Sequence, residues 1–491
     1  MWRLRWLHEG LYVPLQFNPF LTARDAERKV YEGKSTVDPR LWYSMRAASH
    51  NESSFKAMQH SNMQDKMDAT NIQAQKAGLN NVAIAEPVQA QERIEILDVI
   101  RGFALLGILI ANMPSFNSPA HYFEVIGKDM WTGFWDTITY SFISLFIQGK
   151  FYVMFSFLFG LGFAIFYERA KAKTTRSILL FYRRLFILLL IGLVHAFFIW
   201  SGDILVTYAL FGFLLPLFFN RKPKTLLIWA VALFCVLILW TALVIGLMAL
   251  MNMVKEGTTV DIMQSVVTDM ESRAESSLHA YSQGTFAEIM TQRTSDTLFA
   301  LSQTLYVGLF MVFPLFLLGL YVGKRAVFQN IETNLTLIKT TWKWSLAIGL
   351  PMSIVQFICR NLMAADLFSF YSVLHTVAAI FGGTGLCLFF MTSIVLLCQD
   401  KKWSLKLKPL ASMGRMSLSN YLLQSIICTA IFYSYGLGLY GKVGPALGLV
   451  LTLAIFTIQV FISTYWFKRY QFGPIEWVWR CFTYGKLFRM K

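Results

Sequence analysis

Ten apolar runs, at 98–115, 148–168, 183–200, 203–220, 225–251, 299–323, 343–360, 367–398, 416–435 and 444–467, dominate this chain. Several carry no charge over the roughly 17–25 residues that a helix needs to cross a bilayer. Each is read as a membrane-crossing helix. The expected fold is therefore all-α: a polytopic helical membrane protein with about ten transmembrane helices plus interfacial or re-entrant pieces. Composition agrees, since 56% of the 491 residues are hydrophobic and only 15% charged. A soluble globular domain uses roughly the reverse to keep its surface wet.

Two runs are irregular. The stretch 137–166 is too long for one simple span and is broken by Gln148, Gly149 and Lys150, which predicts an interfacial or re-entrant piece followed by a span. The run 367–398 is also long, and Gly382, Gly383 and Gly385 in its middle offer a place to kink or to pack closely.

A net charge of +16 would suggest a nucleic-acid partner in a soluble protein, but its distribution excludes that reading. Alternate connections (168–184, 220–224, 324–343, 399–415 and 468–491) hold 24 Lys and Arg, whereas the opposite set (114–135, 201–202, 252–298, 360–366 and 436–443) holds 6. Basic loops are retained in the cytoplasm, so both termini are placed inside. The six cysteines lie in or beside apolar runs with no C-x-x-C pair, so no metal site is expected.

Residues 1–91 form a polar N-terminal extension without a cleavable signal, either a mobile tail or the product of a start assigned upstream of Met63 or Met67. A first helical membrane half follows at 92–251, then an outer loop at 252–298 and a second half at 299–491. In the outer loop Ile262, Met263, Val266, Val267 and Met270 recur at helical spacing, giving either an amphipathic cover over a site or a plain solvated loop. Near the C-terminus Pro474, Trp477, Trp479 and Arg480 suit an interfacial helix anchored at the lipid headgroups.

Ionisable groups inside spans are costly, so each is a functional candidate. They fall into two layers. On the outer side lie Asn112, Lys150, His195 and Asp203, with Arg360 and His375 approaching the same level from later spans. A turn of about two residues brings Asp203 close to His195. A carboxylate beside an imidazole can fix its tautomer and raise its basicity, as a general base requires; alternatively His195 bonds a neighbouring backbone and Asp203 caps a helix. On the inner side lie Asp98 with Arg101, Arg183 with Arg184, and Arg415 with Asn420. Arginine suits bidentate contact with phosphate, so a phosphorylated cytosolic cofactor could dock there, although orientation and headgroup contact explain the same residues.

Together these stretches resemble the YeiB-like bacterial membrane proteins of unknown function. The matching segments are Leu97-Asp98-Val99-Ile100-Arg101-Gly102, Lys150-Phe151, Phe159-Gly160-Leu161-Gly162, Arg183-Arg184, His195, Gly202-Asp203-Ile204-Leu205, Gly414-Arg415-Met416-Ser417-Leu418-Ser419-Asn420 and Phe472-Gly473-Pro474-Ile475-Glu476-Trp477. The resemblance covers about residues 92–488 and implies a multi-pass protein of the bacterial inner membrane. That family is distantly similar to transmembrane acyltransferases, including the lysosomal heparan acetyltransferase, which use an essential histidine. It implies acyl-CoA, such as acetyl-CoA, as donor at Asp98, Arg101, Arg183, Arg184, Arg415 and Asn420. Taken with the proximity of the two residues, it makes His195 with Asp203 the candidate catalytic pair, and the outer-layer Asn112, Lys150, Arg360 and His375 the candidate substrate residues. Asn112 stands where other membrane acyltransferases often end their first span with a histidine, which leaves His195 or His121 as substitutes. Transport or flipping of a small solute or lipid intermediate is the alternative, with Lys150 and Arg360 meeting an anionic substrate.

Overall fold

The computed structural model describes residues 93–173, 176–255, 257–363 and 368–491. The expected N-terminal extension and its alternative start sites lie outside the described residues. Among the described residues the chain is helical without strands, and eight stretches are long and apolar enough to cross a membrane. The protein is thus a multi-pass helical membrane protein.

The first span, α1 (Glu95–Asn117), leads through the short α2 (Ala120–Val125) to α3 (Phe134–Phe146). A tight turn then opens α4 (Phe151–Lys173). Gly149 takes φ +82° in that turn, a conformation that side chains rarely adopt, and it breaks the run into helices of 13 and 23 residues. The break falls at Gln148, Gly149 and Lys150, as expected, while the stretch 134–172 taken whole forms one candidate crossing.

Next come α5 (Ser177–Phe198) and a pair of short helices, α6 (Leu205–Gly212) and α7 (Leu215–Phe219). The run 203–220 is therefore not one long span. The 32-residue α8 (Pro223–Val254) follows, with only 11% of its most apolar window buried, so most of its surface faces lipid.

The segment expected as an outer loop folds as α9 (Thr258–Gln283) and α10 (Phe286–Val307). The Thr285 hydroxyl and the Glu288 carboxylate form a reciprocal capping box that starts α10. One wide turn at Gly308–Val312 then carries the chain into α11 (Phe313–Lys324).

The remaining helices are α12 (Leu335–Met363), α13 (Phe370–Leu397), α14 (Lys401–Arg415), α15 (Ser417–Phe432), α16 (Pro445–Trp466) and α17 (Pro474–Tyr484). At 16 residues α15 is shorter than a full crossing. Of the ten expected spans, these two short pieces, at 203–220 and 416–435, account for the difference from eight.

α1 sits at the centre and packs against α4, α13, α14, α15 and α16. Small residues set the closest approaches. A Cβ on Gly102 would lie 2.0 Å from the Leu410 carbonyl, and one on Gly414 would lie 1.9 Å from the Asp98 carbonyl, so α1 and α14 touch backbone to backbone. Gly160 and Gly319 do the same for α4 and α11, while Gly385 meets Gly349 between α13 and α12. The basic connection 399–415 is thus a packed helix: α14 turns Ala411, Met413 and Gly414 inward and leaves Lys401, Lys402, Lys406 and Lys408 exposed.

Candidate functional site

The sharpest polar feature lies where α5 ends and α6 begins. His195 is on the last turn of α5, and the connection to α6 is short enough to return Asp203 to it. His195 Nδ1 and Asp203 Oδ2 are 2.7 Å apart, and both side chains are almost fully buried. The second carboxylate oxygen accepts the backbone N–H of Val206 at 2.8 Å, so Asp203 also caps the start of α6. Both readings of Asp203, partner and cap, hold at once. His195 Nε2 is buried and without a hydrogen-bond partner among the described residues. Around the imidazole stand the rings of Tyr421, 5.1 Å away, and Trp200, 6.3 Å away, and Trp200 in turn packs on Phe116 of α1. A carboxylate that fixes one nitrogen leaves the other free to accept or deliver a proton.

Lys150, Arg360 and His375 form a second cluster, and none of them bonds His195 or Asp203. Lys150 is fully buried at the turn between α3 and α4. Its ammonium donates to the Ser144 carbonyl at 3.1 Å and to Gln356 Oε1 at 3.3 Å, both neutral acceptors. Arg360 pairs with Glu124 at 3.3 Å, donates to Gln148 Oε1 at 3.0 Å and lies over the Tyr140 ring. Gln148 completes a triangle by donating to Glu124. His375 faces both Arg360 and Lys150. A cavity beside this cluster is lined by the last turns of α1, by Glu124 and Lys128, and by Tyr140 and Trp131. Asn112 is half-buried on α1 and makes no hydrogen bond among the described residues. His121, on α2, is pushed below its ordinary value by burial, with Asp296 and Glu124 nearby opposing the shift.

The opposite end of α1 gathers arginines. Arg101 donates to Asp98 at 2.7 Å, the i, i+3 pair that the spacing allows. Arg184 stacks on Trp479 at 4.0 Å and on Phe166 at 5.3 Å, and the Trp479 indole donates to the Arg184 carbonyl, pinning α17 against α5. Arg415 lies 3.9 Å from the centre of the Phe467 ring, with its Nε buried and unpartnered. Burial lowers the Arg415 guanidinium below its ordinary value, and Arg93 adds to the effect. Arg480 is brought down to about 10 by burial and by the repulsion of Arg184 and Arg93. Such crowding is relieved by an anion.

Two residues expected in this cluster lie elsewhere. Asn420 is fully buried: its side-chain amide donates to the Met413 carbonyl and to Ser463 Oγ, and its backbone carbonyl accepts from Gln459. It joins α15 to α14 and α16 because a buried amide needs all its partners. Arg183 is exposed and reaches Gly485 at the end of α17.

The sequence offered little sign of Glu476. Its carboxylate accepts the backbone N–H groups of Leu418, at 2.7 Å, and Ser419, at 3.1 Å, and the Ser419 hydroxyl at 2.5 Å. The Ile475 amide donates back to Ser419 Oγ at 3.0 Å. One helix therefore caps another. Burial raises Glu476 above the ordinary carboxylate value although these hydrogen bonds favour its anion.

A buried network on α9 and α10 was equally hidden. Asp296 accepts from Tyr122 at 2.9 Å, Gln292 at 2.7 Å, Tyr281 at 2.6 Å and Ser277 at 3.3 Å. Thr297 and Arg293 bond the carbonyls of Ala196 and Phe198, which ties this hairpin to the end of α5 just beyond His195. No group of three or more potential metal ligands occurs among the described residues.

Residues 322–486 match the family described as "Protein of unknown function (DUF418)". The chain is 36% identical over 414 residues to the uncharacterized protein YxaH of Bacillus subtilis (strain 168), a match that covers 81% of this chain and 96% of the relative. An uncharacterized 39.9 kDa protein in the amylase 3' region of Bacillus acidopullulyticus is 28% identical over 422 residues, 82% of this chain and 97% of the relative. The uncharacterized protein YeiB of Escherichia coli (strain K12) is 25% identical over 419 residues, 80% of this chain and 96% of that one. No solved structure matches the chain. Similarity at 36% identity over four-fifths of this chain, and over nearly the whole of that relative, makes this chain a member of the DUF418, YeiB-like family.

Proposed function

We propose that the protein is a transmembrane acyltransferase of the bacterial cytoplasmic membrane, moving an acyl group from cytosolic acyl-CoA to an acceptor on the outer side. The observation that carries this reading is the buried His195–Asp203 pair, whose imidazole Nε2 has no hydrogen-bond partner among the described residues. His195 takes the proton of an acceptor hydroxyl or amine. The freed oxygen or nitrogen attacks the thioester carbonyl, and the tetrahedral intermediate collapses to ester or amide. The departing CoA thiolate receives the proton back from His195, so the catalyst is restored. Asp203 holds the tautomer and stabilises the transient imidazolium.

Donor phosphates dock at Arg101, Arg184, Arg415 and Arg480, an end assigned to the cytoplasm by its basic connections. Arg184 and His195 are eleven residues apart on α5, about 16 Å by helical rise, a distance that an extended pantetheine arm bridges. Calorimetry of the detergent-purified protein with acetyl-CoA, longer acyl-CoAs and free CoA tests the donor site. Binding is expected to weaken in Arg101→Ala and Arg415→Ala. Acyl transfer should vanish in His195→Ala protein that still folds, and unchanged transfer would remove His195 as the base.

Transport of a small anionic solute is the second reading, favoured by one observation: the buried Lys150 ammonium at the foot of the half-length helix α3 meets only neutral acceptors. Uptake into proteoliposomes in the absence of acyl-CoA would decide for it.

A further inference from the structure

Arg293 is the largest fully buried side chain among the described residues, with 1% of its surface exposed. One of its terminal nitrogens, Nη1, donates to the Phe198 carbonyl at 2.8 Å and approaches the Met290 sulfur at 3.4 Å. The other two nitrogens, Nε and Nη2, are buried and have no hydrogen-bond partner among the described residues. Those two form one edge of the guanidinium fork, the edge whose parallel N–H groups match the two oxygens of a carboxylate or phosphate.

The nearest acid does not serve that edge. Asp296 is one turn further along α10, but Oδ1 already accepts from Tyr122 and Gln292, and Oδ2 from Tyr281 and Ser277. Its acceptor capacity is taken up by four neutral donors, and no carboxylate lies within ion-pairing distance of Arg293 among the described residues. The Tyr433 ring lies 5.5 Å from the guanidinium carbon, held in place by stacking on Tyr281 at 4.3 Å. Leaving a buried charged donor unmet is among the costlier defects a fold can carry.

We propose that the Nε/Nη2 edge of Arg293 is an oxyanion-binding site, taking the carboxylate or phosphate of a ligand held beneath the α9–α10 hairpin. The ligand sits at the end of α5, since Arg293 bonds the carbonyl three residues after His195. The assignment does not depend on acyl transfer. Phosphate and carboxylate arrive either as soluble anions or as a lipid headgroup, and the two sources separate experimentally.

The test uses the full chain, delipidated in detergent, with inorganic phosphate, acetate, phosphatidylglycerol micelles and diacylglycerol micelles as probes. Phosphate or acetate binding indicates a soluble ligand. Binding of phosphatidylglycerol alone, without diacylglycerol, indicates a lipid phosphate. Arg293→Lys keeps the charge but loses the paired edge, and it should weaken the bound probe at least ten-fold. Hydrogen exchange of the wild type provides the local readout, because the arginines at the other end of α1 also attract phosphate. The probe should slow exchange at 286–300 and 430–440, whatever the fate of Arg293→Lys. The proposal is overturned if no probe slows exchange there, or if a folded Arg293→Lys protein binds as tightly as the wild type. Loss of acyl-CoA binding in Arg101→Ala with this site intact would separate the two sites.

Discussion

At the Glu95 end of α1, the guanidiniums of Arg93, Arg101, Arg184, Arg415 and Arg480 crowd around Asp98 and Glu476, and aromatic faces support several of them. At the Asn117 end Arg360 pairs with Glu124 and His195 with Asp203, but two buried charges are met by neutral groups: Asp296 by hydroxyls and an amide, and Lys150 by a carbonyl and an amide. The first arrangement concentrates charge of one sign and suits a polyanionic ligand. The second buries isolated charges with neutral partners, an arrangement that costs stability and that a merely structural interior has no reason to retain.

The difference can be broken at the joint that holds the basic end. Gly414→Val puts a side chain where the Asp98 carbonyl already stands, so α14 has to leave α1. The expected loss is about 3 kcal/mol or more, read as failure to recover folded protein from detergent. Asp203→Ala acts at the other end, removing both the His195 contact and the Val206 cap. A cost of about 2–3 kcal/mol in denaturation is expected, larger than that of His195→Asn, which leaves the cap in place.

Glu476 sharpens the comparison through pH. Its folded-state value is raised by burial, so the folded protein holds its proton more tightly than the unfolded chain. Its contribution to stability is then complete below the ordinary value near 4.5 and is lost as pH rises through the raised folded value. Relative to Glu476→Gln, the wild-type melting temperature should fall across that window, and parallel curves would show that the hydrogen bonds to Leu418 and Ser419 outweigh burial.

Lys150→Met tests the isolated cation. Replacing a buried charge that has only neutral partners by an apolar chain of similar length should change stability by less than about 1 kcal/mol, whereas Arg360→Met strands Glu124 and costs more. The smallest effect belongs to Lys128 and Glu271, a pair exposed on both sides, where Lys128→Ala should cost about 0.5 kcal/mol.

What could be foreseen from the sequence depended on separation along the chain. Asp98 with Arg101, and His195 with Asp203, lie within one helix or across one short turn, where helical spacing and chain reach fix proximity. Gly382 and Gly385 were recognisable as contact points because small residues in apolar helices have few other uses. Contacts between distant segments were not legible. Nothing local links Glu476 to Ser419, and Asn420 carries the same polar label whether it faces a ligand or a neighbouring helix. The α9–α10 hairpin shows the limit most clearly. Its helical spacing was visible, but mean polarity concealed that Arg293 and Asp296 point inward, because a solvated face and a buried network share one composition. The run 203–220 and the short α15 passed as full spans because apolar length does not reveal where a helix stops.

The cap on α15 also constrains the order of synthesis. The Leu418 amide depends on a carboxylate 58 residues further along the chain. At about 5–20 residues per second, a ribosome delivers Glu476 roughly 3–12 s after Leu418. Until then α15 lies at the membrane with its first amides unmet, and α17 completes a helix made two earlier. A nascent chain stalled before residue 476 should therefore expose α15 to proteolysis, and release of the stall should close it.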